Sequence, residues 1–279
     1  MVYKPKEIPE GTNVTPVHPL VNFAYLLGTV VVFSAAIYLG LGVVATQLVT
    51  RISPEMEAKI GRQLLPTLNT TSTPTYLSQR QYLESLLTSL QSDFNTSVPL
   101  TIHIQENKYP NAAIIPGGHI LVTTALLKEA ESENEIAFVL AHELGHHINR
   151  DPLKGLGRSL VFLTISSALG IGTGNADIVT LTGSLTNLHY SRQQESAADI
   201  YALEAIVNLY GHGASSLDFF QRIQAKDRRG KLSAYFSTHP LTKERINYLH
   251  QVATQQGWQM TGEVTNLPNE VFNRESFKY

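Results

Sequence analysis

The 279-residue chain contains no cysteine. That absence excludes disulfides, thiolate-ligated zinc, a cysteine nucleophile and a lipidated cysteine, while leaving the redox compartment open. An excess of charge is missing too: 21 Lys and Arg stand against 23 Asp and Glu, giving a net charge of −2 and a pI near 6.6. No basic stripe with interleaved aromatics is present, so the sequence gives no footprint for nucleic acid. No internal repeat is visible either, which excludes a solenoid or propeller. A further lack is local. Between Glu10 and Arg51 no residue carries a formal charge at neutral pH.

Within that charge-free gap Val21–Thr50 is nearly all apolar. About 20 such residues cross a bilayer, so residues 21–50 are expected to be a transmembrane anchor in contact with lipid. A signal peptide and a buried core helix are the alternatives, but an export-signal core runs only about 7–15 residues. Val43-Val44-Ala45 is a weak cleavage-site match that keeps a processed form in view. Lys4 and Lys6 precede the span, and Arg51, Lys59 and Arg62 follow it, so the distribution of positive charge does not decide the orientation.

The most chemically specific segment is His142-Glu143-Leu144-Gly145-His146. Two histidines four positions apart lie on one helical face and can reach one tetrahedral Zn²⁺. Glu143 can then serve as general base on the water that the metal activates. The surroundings read as a buried helix. Ser132 and Glu135 fit a capping box, Ile136, Val139, Leu140 and Leu144 recur at helical spacing, and Asn149-Arg150-Asp151-Pro152 supplies a stop. Glu143 stands alone in that apolar run and needs a partner, which a metal-associated water would provide.

Such a site lacks one protein ligand. Glu195 and Asp199 are four apart, flanked by Ala197 and Ala198, with Ile200, Leu203, Ile206 and Val207 continuing a helical pattern. A solvated acidic face is the ordinary reading of such a pair. The small apolar neighbours favour the other one, with Glu195 as third ligand and Asp199 as the acceptor that orients a ligand imidazole. The expected cofactor is one Zn²⁺ per chain, held by His142, His146 and Glu195.

Together these motifs make the chain resemble the gluzincin metallopeptidases of the CAAX prenyl protease 1, HtpX and BepA-type family. Asn111–Val122 looks like that family's hairpin ahead of the active-site helix, and Ser237-Thr238-His239-Pro240 with Arg245-Ile246 looks like its C-terminal motif. The resemblance spans about residues 53–255. Two features depart from it: Ala113-Ile114 replaces an aromatic often found in the hairpin, and the chain ends match nothing. The resemblance implies that His239 reaches the cleft, to stabilise an oxyanion or to gate the metal, against the plainer reading of a surface loop histidine. It implies that Arg245 supports that loop or Asp199. It also implies a catalytic domain on the extracytoplasmic, periplasmic side and misfolded or misassembled membrane or envelope proteins as substrates.

The remaining pattern gives an α+β, mostly helical, zincin-like domain with a small β-sheet beside the active-site helix. A short helix over 53–65, a linker over 66–75, an amphipathic helix over 77–94 and a strand over 100–104 are expected. Ala112–Ile115 and His119–Val122 form a hairpin turned by Pro116-Gly117-Gly118. Its strand Ala112, Ala113, Ile114 is read as an edge that binds extended substrate, or else merely as a cover for the helix. Gly170, Gly172 and Gly174 suggest a hinge after the apolar stretch 160–169, which is too short to span a bilayer. His147 points about 100° away from its neighbouring ligand and is read as structural, while His18, His103, His119, His189, His212 and His250 show no partner pattern.

The expected organisation is an N-terminal tail (1–20), the anchor (21–50), a juxtamembrane helix and linker (51–75), the metallopeptidase domain (76–256) and a C-terminal tail (257–279). The favoured reading is a membrane-anchored zinc endopeptidase acting on polypeptides. A self-blocked zinc protein with a chaperone-like binding role is the alternative. A membrane-embedded prenyl-protein processing enzyme is disfavoured by the single spanning segment.

Overall fold

Free of charge and rich in Leu, Val and Ala, Pro19–Val49 forms one 31-residue helix, α1. The computed structural model describes residues 18–49, 51–68, 76–91, 99–168, 189–226, 238–239, 242–273 and 277. The chain divides into two units, 1–44 and 45–279. In the first, apolar side chains are bare of protein cover: Phe33 and Leu39 are both 67% exposed. At 1.5 Å per residue α1 is about 46 Å long, and it is long and apolar enough to cross a hydrocarbon core of about 30 Å.

The second unit is mostly helical. Ser53 caps α2 (Pro54–Leu64), its hydroxyl accepting the Met56 N–H with Pro54 in the first turn. A 3₁₀ turn, Leu65–Thr67, follows, and the rest of the expected linker (69–75) lies outside the described residues. Next come α3 (Leu77–Leu90), with residues 92–94 of its expected range outside the described residues, and three strands: β1 (Thr101–Gln105), β2 (Ala112–Ile115) and β3 (His119–Thr123). Then follow α4 (Thr124–Glu129), α5 (Glu133–Ile148), α6 (Asp151–Ala168), α7 (Arg192–Tyr210), α8 (Asp218–Lys226) and α9 (Lys243–Gln256). The glycine hinge expected at 170–174 lies outside the described residues.

The sheet order is β1-β3-β2, with β1 parallel and β2 antiparallel to β3. Alternation splits the sheet into two faces. Ile102, Ile104, Ala112, Ile114, Ile120 and Val122 face the main core with α3, α5 and α7. Ile115 and Leu121 face a second cluster built from Val49, Leu64, Leu68, Leu153 and Leu156. His103 and His119, without partners in the sequence reading, meet each other at 3.2 Å across β1 and β3. Their separation in sequence had hidden the pairing.

Helix α5 is the axis of the second unit, and Asn134 through His147 are all buried. It packs on α7 at a contact without room for another atom: a Cβ on Gly145 would lie 2.9 Å from the Ala198 Cα. Described residues of the stretch expected as a C-terminal tail (257–279) pack back onto this unit. Phe272 and Phe277 join the main core, and the Glu133 N–H donates to the Thr265 carbonyl at 2.9 Å. The Thr265 N–H in turn donates to Asn134 Oδ1 at 2.9 Å, and Gln79 donates to the Val271 carbonyl at 2.7 Å.

Candidate metal centre

The site is assembled by α5, α7 and the Thr238-His239 segment. Ser132 caps α5 through the Glu135 N–H, which sets the phase that turns His142 and His146 to one side. Ser191 and Gln194 form a reciprocal capping box at the start of α7, which places Glu195 in its first turn. His142, His146, Glu195 and His239 are buried, with one ligand atom from each lying within 4.8 Å of all the others.

The spacing fits a tetrahedral ion. The two Nε2 atoms of His142 and His146 are 3.1 Å apart, and they lie 3.6 and 3.5 Å from the carboxylate oxygens of Glu195. Metal–ligand bonds of about 2.0–2.1 Å need edges of about 3.3 Å, so these three residues match a first-row divalent metal. Both imidazoles turn Nε2 inward while Nδ1 meets a buried carboxylate: His142 at 3.0 Å from Asp199 and His146 at 3.0 Å from Asp151. Each carboxylate favours a proton on Nδ1, the arrangement a metal ligand requires. His239 Nδ1 lies 3.2 Å from His142 Nε2 and 3.1 Å from Glu195 Oε1, at the fourth corner.

Asp199 and Glu195 share Arg245. Its Nε and Nη2 donate to the two Asp199 oxygens at 2.7 Å each, and Nη1 lies 2.8 Å from Glu195 Oε2. Electrostatics follow from this crowding. Burial opposes charge on Glu195, yet His239, His142 and His146 hold it far below the usual carboxylate range. Burial likewise opposes charge on Asp199, and His142 and Arg245 override it to keep the carboxyl ionised. For His142 burial disfavours the proton, but Asp199 and Glu195 outweigh it and raise the imidazole to about 10. His239 goes the other way, because burial dominates over Glu143 and Glu195 and lowers it.

Glu143 is fully buried. Its Oε2 accepts the Ile114 N–H at 3.0 Å, and Oε1 has no hydrogen-bond partner among the described residues and sits 3.6 Å from His239 Nε2. The Ile114 bond also reveals the strand edge. Thr123 N–H donates to the Asn111 carbonyl, so the alternation of an antiparallel ladder commits Ala113 and Ile115 to β3. Ala112 and Ile114 therefore turn their backbone groups away from β3, and the outward N–H of Ile114 is the one that Glu143 accepts.

Three residues of the site were not legible as such in the sequence. Asp151, read only as part of a helix stop, is fully buried and accepts from Gln194 at 2.7 Å and Lys154 at 3.1 Å as well as meeting His146. Gln194 thus caps α7 and holds Asp151 with one side chain. Tyr190 stacks on the His146 ring at 4.0 Å between centroids. Its hydroxyl is kept protonated by burial and then by Glu143, Asp151 and Glu195. The only sequence signal was proximity, Asp151 five residues past His146 and Tyr190 five before Glu195. His147 is buried with Nδ1 3.7 Å from Glu57, outside the metal cluster. Beside Glu195 and Arg245 a cavity of about 660 Å³ opens, lined also by Tyr190, Ser196, Thr242 and Tyr248.

Comparison with known proteins gives the same direction. The sequence model for peptidase family M48 matches residues 77–253. The mitochondrial metalloendopeptidase OMA1 of Schizosaccharomyces pombe is 27% identical over 204 residues, covering 71% of this chain and 57% of that one. A putative beta-barrel assembly-enhancing protease of Vibrio cholerae is 28% identical over 193 residues, 63% of this chain and 39% of its own length. The metalloprotease LoiP of Escherichia coli K12 is 26% identical over 181 residues, covering 63% and 71% of the two chains.

Proposed function

We propose a function from one premise: the chain belongs to peptidase family M48, and its buried His/Glu cluster is a metal site. On that premise it is a membrane-anchored zinc endopeptidase, with α1 as the anchor and His142, His146 and Glu195 as the protein ligands. The observation that supports this most is Glu143, buried beside the cluster with one oxygen free of hydrogen bonds among the described residues. A structural metal site needs no such carboxylate. Bound Zn²⁺ would lower the pKa of a water toward about 7 and polarise the scissile carbonyl. Glu143 takes the proton from the attacking water and hands it to the leaving amine. Asp199 and Asp151 keep Nε2 of each ligand imidazole free of hydrogen, and Arg245 keeps Asp199 and Glu195 in place.

The edge of β2 supplies a place for substrate. An extended peptide can pair with the outward N–H and carbonyl of Ala112 and with the Ile114 carbonyl, while the Ile114 N–H stays with Glu143 and Ala113 is held by β3 as backing. The cavity beside Glu195 has room for a neighbouring side chain. Three curated relatives carry names of proteases, one of them for β-barrel assembly, and that supports misassembled membrane or envelope proteins as substrates, with the catalytic domain on the extracytoplasmic side.

The position of His239 supports a second reading, that the resting site is closed. A catalytic zinc keeps one coordination position open. With His239 at that corner, the segment carrying it must withdraw before water and substrate enter, after which its Nε2 could serve a developing oxyanion. Glu143→Gln tests the central claim: metal content stays at one equivalent while peptide cleavage is lost. Cleavage at near wild-type rate by that variant would sink it.

A further inference from the structure

The family match begins at residue 77, yet a segment well before it is bound to the end of the metal helix. Glu57 of α2 is buried. Its Oε2 accepts from Arg150 Nη2 at 2.9 Å, while Oε1 accepts the Gly117 N–H at 3.5 Å and lies 3.7 Å from His147 Nδ1. Arg150, two residues past the end of α5, has a left-handed conformation, with φ at 55°. Its guanidinium also donates to the carbonyls of Val49 at 3.0 Å and Ile52 at 2.7 Å. A residue with a Cβ rarely adopts that backbone, and here it aims the side chain back at residues 49–57.

Beside this clamp α2 lies backbone against backbone on the hairpin turn. A Cβ on Gly61 would fall 2.2 Å from the Pro116 carbonyl oxygen, so no side chain can separate them. One carboxylate therefore joins α2, the turn between β2 and β3, and the last turn of α5. The turn is three residues past Ile114, whose N–H meets Glu143, and His147 is next to His146.

We propose that Glu57 and Arg150 are positioning residues that set the gap between the substrate edge of β2 and the metal helix. Residues 51–57 are in this view part of the catalytic apparatus, and not only a spacer. The kinetic consequence of this clamp rests on the peptidase reading above, but its structural role does not. Buried charge here is costly unless paired, so removing one partner loosens the other two contacts.

The test compares Glu57→Ala, Glu57→Gln and Leu64→Ala in the full chain. Leu64 belongs to the neighbouring apolar cluster but makes none of these polar contacts. Glu57→Ala should speed amide exchange at Ile114, Ile115, Gly117 and Gly118 about tenfold or more, and raise KM for a peptide about tenfold with kcat and zinc stoichiometry nearly unchanged. Glu57→Gln, which keeps an acceptor for Gly117, should recover part of both effects. The proposal is overturned if exchange at the hairpin is unchanged in folded Glu57→Ala. It is equally overturned if Leu64→Ala, at matched loss of Tm, shifts exchange and KM as much. Absence of peptidase activity in the wild-type chain would remove the peptidase reading alone, leaving the exchange measurement to decide the clamp.

Discussion

Replacing Asp151 by asparagine should weaken zinc binding without abolishing the fold. The fully buried carboxylate meets His146 Nδ1 at 3.0 Å on one oxygen and accepts from Gln194 and Lys154 on the other. An asparagine of the same shape has two ways to sit. With its amide oxygen toward His146, its NH₂ confronts the Gln194 amide and the Lys154 ammonium, so two donors lose their acceptor. Turned around, its NH₂ faces Nδ1 and forces the imidazole proton onto Nε2, the atom needed for the metal. Leaving a buried donor unmade costs about 1–3 kcal/mol, and loss of such an orienting partner lowers metal affinity about 10–100-fold, which is about 1.4–2.7 kcal/mol. Competition for Zn²⁺ against a chromophoric chelator reads this directly. Asp151 also opens α6, so some stability is lost through the helix dipole, and the Tm of metal-free protein reports that part separately. A folded Asp151→Asn protein that binds Zn²⁺ within twofold of wild type would refute the orienting role.

Gly145→Ala should cost about 1–3 kcal/mol of stability in urea titrations, because its methyl would meet the Ala198 backbone at 2.9 Å and wedge α5 from α7. Metal affinity should fall with it, since Glu195 rides on α7; unaltered affinity would mean that the helices do not set the ligand spacing. The His103–His119 pair should make the fold acid-sensitive. Burial, then His119 and Arg80, lower His103 to about 4, so its neutral form is favoured in the folded state. That stability is complete above about pH 6.5 and is lost as pH falls toward 4, a loss of about 1–2 kcal/mol once its solvent-exposed part is discounted. His103→Gln should lose less stability than wild type between pH 7.5 and 5, and identical slopes would count against the pairing.

Much of the metal helix was legible because local signals agreed. Ser132 at the cap, apolar residues at helical spacing and Pro152 past the end all pointed to one element, observed over Glu133–Ile148. Glu195 and Asp199 were legible as a pair because the i,i+4 spacing puts them on one face; the structure places the first among the imidazole nitrogens and the second against His142 and Arg245. Asp151 was not, because an aspartate before proline already has a sufficient local explanation as a helix boundary. Long-range partners escaped for a related reason. Nothing in residues 101–105 says that they pair with β3 and not β2, and Phe272 and Phe277 sit in a stretch without any period, although both enter the core. Arg150 looked like an ordinary polar residue after a helix; only its backbone conformation turns it toward Val49, 101 residues earlier.

The closing of the first turn of α5 by Thr265 has a temporal side. A ribosome adding about 5–20 residues per second needs roughly 6–24 s to travel from His146 to Thr265. During that interval His142, Glu143 and His146 already exist as nascent chain, while the Glu133 N–H lacks the carbonyl it meets in the finished fold. The Glu133–Thr265 bond at the start of α5 is thus made only after nearly all of the second unit has been synthesised. The order of the chain therefore makes this closure one of the last contacts of the second unit to become possible during synthesis.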